Sequence, residues 1–423
     1  MSIKAAPLRQ KFFTPNVYIL LAFMAAGAIF AFFRFFYGFG SVTNLNASYP
    51  FGIWIAFDVA CGVALAAGGF TTSAIVEIFG REKYHPLVRP AILTAFIGYF
   101  LVGLAVFFDL GKYYNIWHAL VYWNGTSVLF EVAWCVMLYL TVLGIENIPA
   151  VVEQFKGNVN LPGQLASFNR PADWLLGKAD VFCRRAMAFF IVLGVVLSFG
   201  HQSSLGTMML IAPYKLHELW YTPLSPLLFL TSAVSVGIPM VIFEGTLAAK
   251  FFGRKPETEL LGSIAKYIPY FLGTYLLLRM GDLAYRGVLP KAFDGSLQGW
   301  AFLLEFSLFA IPYFLLKRKS FRYDPTRLFL CACSVICAVV LNRFNVFLIG
   351  MDMGPARNYF PSVGEFAITL AFVAFGVLLY KIGVNYLPIL EEEHAVEHAV
   401  ETVAAREAQG LSAGERKLQS SPA

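Results

Sequence analysis

Apolar residues fall into ten long runs along the chain, at about 17–36, 52–77, 89–108, 126–147, 182–202, 224–249, 262–280, 298–317, 326–347 and 362–386. About twenty residues of helix cross the hydrocarbon core of a bilayer. The pattern therefore predicts an all-α, polytopic membrane protein with about ten transmembrane helices in bundles. The seventh run is the weakest, being wholly uncharged only over 267–278. Gly68-Gly69, Gly237, Pro239, Pro269 and Pro312 lie inside the runs. Transmembrane helices tolerate such residues because neighbouring helices satisfy the freed backbone groups.

Composition supports the same class. Hydrophobic residues make up 58% of the 423 and charged residues 14%, with a mean hydropathy of +0.66. Soluble domains carry nearer a quarter charged residues. The net charge of +6 does not indicate nucleic acid, because the bases sit in short loops between apolar runs. Those loops are asymmetric. With the N-terminus placed inside, 24 of the 32 Lys and Arg fall on the cytoplasmic side and 6 on the other, with Arg279 and Arg343 at helix ends. By the positive-inside rule both termini are cytoplasmic. The chain divides into a cytoplasmic segment 1–16, a transmembrane domain 17–387 and a charged, partly disordered cytoplasmic tail 388–423. The N-terminus is basic, but the first apolar run has no small-residue cleavage site and reads as a span rather than a signal peptide. Cys61, Cys135, Cys183, Cys331, Cys333 and Cys337 lie in or beside the runs without metal-type spacing, so they read as small core residues.

Ionisable residues inside the spans are costly, about 2.5–3.5 kcal/mol each at a helix centre, and are functional candidates by default. His201 is the one histidine that abuts an apolar run, and Ser198 and Ser204 share its face by helical spacing. Such an imidazole either caps a helix end or hydrogen-bonds a carbonyl and carries a proton, as a quinone headgroup requires. Towards the outer surface lie Asp58, Asp109, Glu131, Arg279, Asp282, Glu305, Arg343 and Glu365; towards the cytoplasm lie Glu77, Glu146 and Glu244, with Tyr99 mid-span. Acids at both depths with a tyrosine between can relay protons. The structural alternative is that Glu77, Glu146 and Glu244 snorkel to the interface or pair with loop lysines. Arg279 and Asp282, three apart, can pair, and Arg343 has Glu305 or Glu365 within reach. Long interhelical pairs of this kind often only hold a bundle together. In the tail, His394 and His398 have metal-compatible spacing, although solvated helix and disorder suit that composition better. The segment 153–178 reads as a cytoplasmic loop. His85, His118 and His217 fall in loops, leaving one intramembrane imidazole where a bis-histidine haem needs two; neither a CxxCH, a P-loop nor a dinucleotide motif occurs.

Several stretches together resemble one family: Gly40-Ser41-Val42-Thr43-Asn44-Leu45-Asn46 with Trp54-Ile55-Ala56-Phe57-Asp58, Tyr84-His85-Pro86-Leu87-Val88-Arg89-Pro90, Ser127-Val128-Leu129-Phe130-Glu131, His201-Gln202-Ser203-Ser204-Leu205-Gly206, Ile242-Phe243-Glu244-Gly245 and Tyr359-Phe360-Pro361-Ser362. From about 38 to 390 the chain is similar to the NrfD/polysulfide-reductase membrane subunits, and within them to the Hyb-type membrane subunit of periplasmic nickel–iron hydrogenases. The resemblance implies a haem-free helical bundle with a quinone pocket (menaquinone or ubiquinone) near the periplasmic face of the bacterial inner membrane. It implies electrons from a periplasmic ferredoxin-like iron–sulfur subunit, with the iron–sulfur clusters and nickel–iron centre in partner subunits only. It matches Tyr99, Glu131, His201 and Glu244 to positions associated with quinone protonation and proton transfer. In this reading His201 holds the quinone carbonyl, Ser204 lies beside it, Glu131 re-protonates the site, Tyr99 and Glu244 serve an inner path, and Asp58 and Asp109 line the pocket or its mouth. Similar subunits serve cytochrome c3:menaquinone and sulfur-compound reductases. From a different class, a secondary transporter also shows intramembrane acids and broken helices, and an inert anchor needs none of these residues.

Overall fold

The computed structural model describes residues 5–46, 49, 51–211, 214–255, 257–351 and 359–391. The histidines of the tail and the loop bearing Arg357 lie outside these residues. Ten long helices correspond to the ten apolar runs: α1 (Pro15–Phe36), α2 (Trp54–Ile78), α3 (Val88–Asp109), α4 (Val128–Phe155), α5 (Asn169–Met208), α6 (Ser225–Phe252), α7 (Ile268–Tyr285), α8 (Leu297–Leu315), α9 (Pro325–Phe344, continued by a π turn, Asn345–Ile349) and α10 (Val363–Tyr386). Among the described residues, nine of these are long and apolar enough to cross a membrane, and α7 is not among them. Its Arg279 and Asp282 account for this, yet both are buried inside the protein. The chain is an all-α polytopic membrane protein.

Two boundaries differ from the apolar pattern. α4 runs on through Pro149 to Phe155, and α5 begins at Asn169, so the loop expected at 153–178 shrinks to 156–168. Residues with good helix propensity extend both helices past the apolar zone, which hydropathy alone does not register. As a result His201 is not a helix cap: α5 continues for two more turns, to Met208.

Successive helices run in opposite directions. At one end, here the proximal rim, Gln10 donates from Nε2 to the Phe252 carbonyl (3.0 Å), and Lys156 meets Asp180 (2.6 Å). At the opposite, distal rim, Arg34 donates to the carbonyls of Phe108 (2.9 Å) and Leu110 (2.6 Å), and Tyr49 to that of Leu348 (2.8 Å). The packing pairs define two closed rings of four, α2–α3–α4–α5 and α6–α7–α8–α9, joined where α2 meets α6 and α9 and where α5 meets α6; α1 and α10 pack together outside, α10 against α2 and α3.

Small residues allow the central contact between the rings. A Cβ on Gly237 of α6 would stand 2.4 Å from Thr71 Oγ1 and 3.0 Å from the Ala67 carbonyl, both on α2. Transmembrane helices gain association energy from such close backbone approach. Gly237→Ala is therefore expected to cost about 1–3 kcal/mol by overpacking, read as a lower midpoint of thermal unfolding in detergent; an unchanged midpoint would show that the two rings have slack there.

Candidate functional site

The first ring encloses a polar seam. At its distal end, Asn124 and Ser127 build the turn into α4: Asn124 Oδ1 accepts from Thr126, and Ser127 Oγ accepts from the Phe130 amide as an N-cap. That cap places Glu131 in the first helical turn, on the face towards α5. Ser204 Oγ lies 2.6 Å from Glu131 Oε1 and 2.8 Å from the Gly200 carbonyl. A hydroxyl has one hydrogen. Ser204 therefore donates to either Glu131 Oε1 or the Gly200 carbonyl at any one time, and the two acceptors compete for it.

One turn deeper, His201 is fully buried and its Nδ1 faces the Tyr99 hydroxyl at 3.4 Å. Ser198 Oγ lies beside the hydroxyls of Tyr99 and Tyr139, whose rings meet edge to face at 4.5 Å. Gln202 donates to the Val63 carbonyl of α2 (2.9 Å), fixing the α5 register against α2. Three buried polar atoms here find no hydrogen-bond partner: His201 Nε2, Gln202 Oε1 and Ser198 Oγ. Orphaned polar atoms this deep are uncommon and call for a water or a ligand. The structure thus brings Tyr99, Glu131, His201 and Ser204 onto one seam.

Other expected residues lie elsewhere. Asp58, in a π-helical segment of α2, accepts from Thr369 of α10 (2.7 Å). Asp109 ends α3 with Oδ1 buried and unpartnered. Neither has a hydrogen bond to the His201 seam; both look towards α1 and α10. Glu244 on α6 sits beside Thr94 and Tyr380, without a hydrogen bond to either, in a cavity of about 50 Å³ that Arg254, Tyr380 and Glu391 also line.

The second ring holds charges of a different kind. Glu305 accepts from Trp220 Nε1 (3.0 Å), Asn345 Nδ2 (2.7 Å), Asn342 Nδ2 (2.8 Å) and Tyr275 (3.5 Å). Arg343 reaches it through Asn342 (2.6 Å), donates to Ser232 (3.0 Å) and lies 3.9 Å over the Phe229 ring. The Arg279–Asp282 pair suggested by spacing is absent. Asp282 instead binds Arg286 (2.7 Å) and Thr222 (2.6 Å), while Arg279 lies over Phe302. Glu365 accepts from Asn44, Ser362 and Tyr359. Glu305, Asp282 and Glu365 each accept from several donors. Glu131 has one side-chain partner and Glu146 none among the described residues, and Glu244 Oε1 is buried without a hydrogen bond. Hydrogen-bond supply thus separates scaffold acids from acids free to exchange a proton.

Sequence reasoning overlooked Tyr139 and discounted Glu146. Both lie on the Glu131 stripe, eight and fifteen residues along α4, a spacing that a helical wheel displays.

Two antiparallel four-helix rings, one of them threaded by unpartnered polar atoms, define an integral membrane protein built around intramembrane polar chemistry. The chain belongs to the polysulphide reductase NrfD family, whose model matches residues 41–353. It is 34% identical over 395 residues to the probable Ni/Fe-hydrogenase 2 b-type cytochrome subunit of Escherichia coli (92% of this chain, 96% of the relative). It is 27% identical over 379 residues to the integral membrane subunit of menaquinone reductase from Nitratidesulfovibrio vulgaris (83% and 86%), and 23% identical over 392 residues to the Hdr-like menaquinol oxidoreductase integral membrane subunit of Archaeoglobus fulgidus (85% and 90%).

Proposed function

We propose that this chain is the quinone-reactive subunit of a respiratory complex in a bacterial inner membrane, with its distal rim periplasmic. Electrons come from an iron–sulfur protein docked on that rim, most simply one of a nickel–iron hydrogenase, and reduce menaquinone or ubiquinone. The carrying observation is the buried, unpartnered Nε2 of His201, next in sequence to Gln202 with its unpartnered Oε1 and one turn from the Ser204–Glu131 hydrogen bond. The relatives named for hydrogenase and menaquinone chemistry support the substrate and the partner. The bias of Lys and Arg towards the proximal loops supports the orientation.

Quinone reduction takes two electrons and two protons. His201 Nε2 holds the carbonyl, and Tyr99 on Nδ1 keeps the imidazole ring in place and sets which nitrogen carries hydrogen. Glu131 delivers a proton through Ser204, whose hydroxyl turns from Gly200 to the emptied carboxylate. Tyr99 and Glu244 belong to the path that refills the site from the proximal side. Although one relative's name includes a b-type cytochrome, the histidines among the described residues are not paired for a bis-histidine haem: His85, His118 and His217 stand at the rims, and His201 faces Tyr99.

Glu131→Gln tests this reading in the purified complex. It is expected to lower quinone-linked turnover about 10²-fold while the partner's activity towards an artificial acceptor dye stays intact. Equal quinone turnover in variant and parent would remove Glu131 from the mechanism. Purification of the chain without a redox partner, active in solute uptake, would favour a transporter.

A further inference from the structure

The α4–α5 seam does not stop at Tyr139. On α4, Glu131, Tyr139, Glu146, Pro149 and Glu153 recur at helical spacing, and on α5 Asp180, Met187, Gly194, Ser198 and His201 do the same, so both stripes face each other over most of the bilayer. At the proximal end the stripes diverge around an open cleft of about 540 Å³, lined among others by Pro149, Glu153, Lys156, Asp180, Arg184 and Met187. Just beyond the cleft, one turn deeper than Pro149, sits Glu146.

Glu146 faces Gly194. A Cβ there would stand 3.2 Å from Glu146 Oε1, 3.2 Å from Val142 Cγ1 and 3.4 Å from Tyr139 Cε2, so the missing side chain provides the notch in which this carboxyl rests. Had Glu146 been paired with a loop lysine or arginine, that base would neutralise it. The nearby bases are engaged elsewhere: Lys156 and Arg184 both bind Asp180 (2.6 and 2.8 Å), and Arg89 binds Glu153 (2.8 Å). Among the described residues Glu146 has neither a hydrogen bond nor an ion pair. An intramembrane carboxyl held in a notch, unneutralised, between a water-accessible cleft and a row of hydroxyls is placed to exchange protons.

We propose that Glu146 is a proton-relay residue, taking protons from water in the proximal cleft and passing them along the α4–α5 seam, by way of water, Tyr139 and Ser198, towards Tyr99 and His201. Glu146 and Glu131 lie about 22 Å apart in helical rise, with the hydroxyls between them. This inlet, within the first ring, is separate from Glu244 on α6, and it rests on the quinone-reducing reading.

The test uses the whole complex in liposomes, with a short-chain menaquinone analogue as acceptor and a dye as control. Glu146→Gln is expected to lower quinone-linked turnover about ten-fold or more, with dye activity unchanged, and Glu146→Asp, which keeps an acid, to recover most of it. Turnover of Glu146→Gln within two-fold of the parent, with His201→Ala inactive, overturns the relay and leaves the quinone reading standing. If His201→Ala also keeps its turnover, the quinone reading itself fails. Equal losses in Gln and Asp variants, together with a lower unfolding temperature, mean a packing role and overturn the relay. Should Glu146→Gln fail to assemble, Glu146→Asp decides alone: slowed turnover with a larger solvent deuterium effect than the parent supports the relay, and an unchanged effect refutes it.

Discussion

His201→Ala is expected to abolish quinone-linked turnover, by about 10²–10⁴-fold, without loss of assembled protein. The imidazole is fully buried and offers one nitrogen to Tyr99 at 3.4 Å while the other meets nothing. A side chain kept for stability would not leave a ring nitrogen unsatisfied, since a buried orphan costs about 1–3 kcal/mol. Removing it therefore relieves one penalty while opening a cavity, and the two largely offset. What is lost is the only imidazole on the seam and the contact that orders the Tyr99 hydroxyl. Both proton delivery and headgroup positioning fail together, which is why the effect exceeds that expected for Glu146. The measurement is turnover with a menaquinone analogue beside dye reduction by the same preparation. A variant that turns over normally would leave His201 as a spacer and move the site elsewhere, for instance to the buried Asp58–Thr369 pair.

The second large effect concerns stability. Glu305→Ala is expected to destabilise the protein by about 3–5 kcal/mol, the scale for removing one member of a buried charge network. Four donors converge on this carboxylate from Trp220, Tyr275, Asn342 and Asn345, and it is the buried anion nearest to the Arg343 network. Without it those donors lose their acceptor and the guanidinium loses its counter-charge. Total stabilities of about 5–15 kcal/mol leave little margin for such a loss. The result should appear as a lower yield in membranes and a depressed unfolding midpoint in detergent. Glu305→Gln keeps the shape but presents an amide donor to donors, so an intermediate loss follows. Because Glu305 has no orphan oxygen, the turnover of whatever protein does assemble should be near normal. Full stability of Glu305→Ala would mean that Arg343 is neutralised by something other than this network.

Much of this architecture is visible in the one-dimensional pattern, and the reason is physical. Lipid forces every span to be a helix, so ten apolar runs translate directly into α1–α10. Glu131 stands out as an acid near the start of an apolar run and Ser204 by its helical spacing from His201, but the contact between them is not legible in either pattern. Pairings were harder. Arg279 has Asp282 at helical spacing, yet Arg286, one turn on from Asp282, takes that acid with better geometry and leaves Arg279 against Phe302. Arg343 reaches Glu305 only through Asn342, a neutral intermediary that a search for opposite charges passes over. Glu146 was discounted because basic loops flank it. Which acid claims which base depends on distances across helices, and periodicity along one helix carries no such information.

The length of α5 has a consequence of its own. Forty residues make a rod of about 60 Å, roughly twice the hydrocarbon thickness. Arg170 near one tip and Ser204 near the other are thereby tied to a fixed separation. A bilayer of another thickness cannot stretch or shorten that rod; the mismatch is taken up by tilt of the helix or by local deformation of the bilayer. Any tilt of α5 against α4 would bear on the Ser204–Glu131 junction, which spans the two helices.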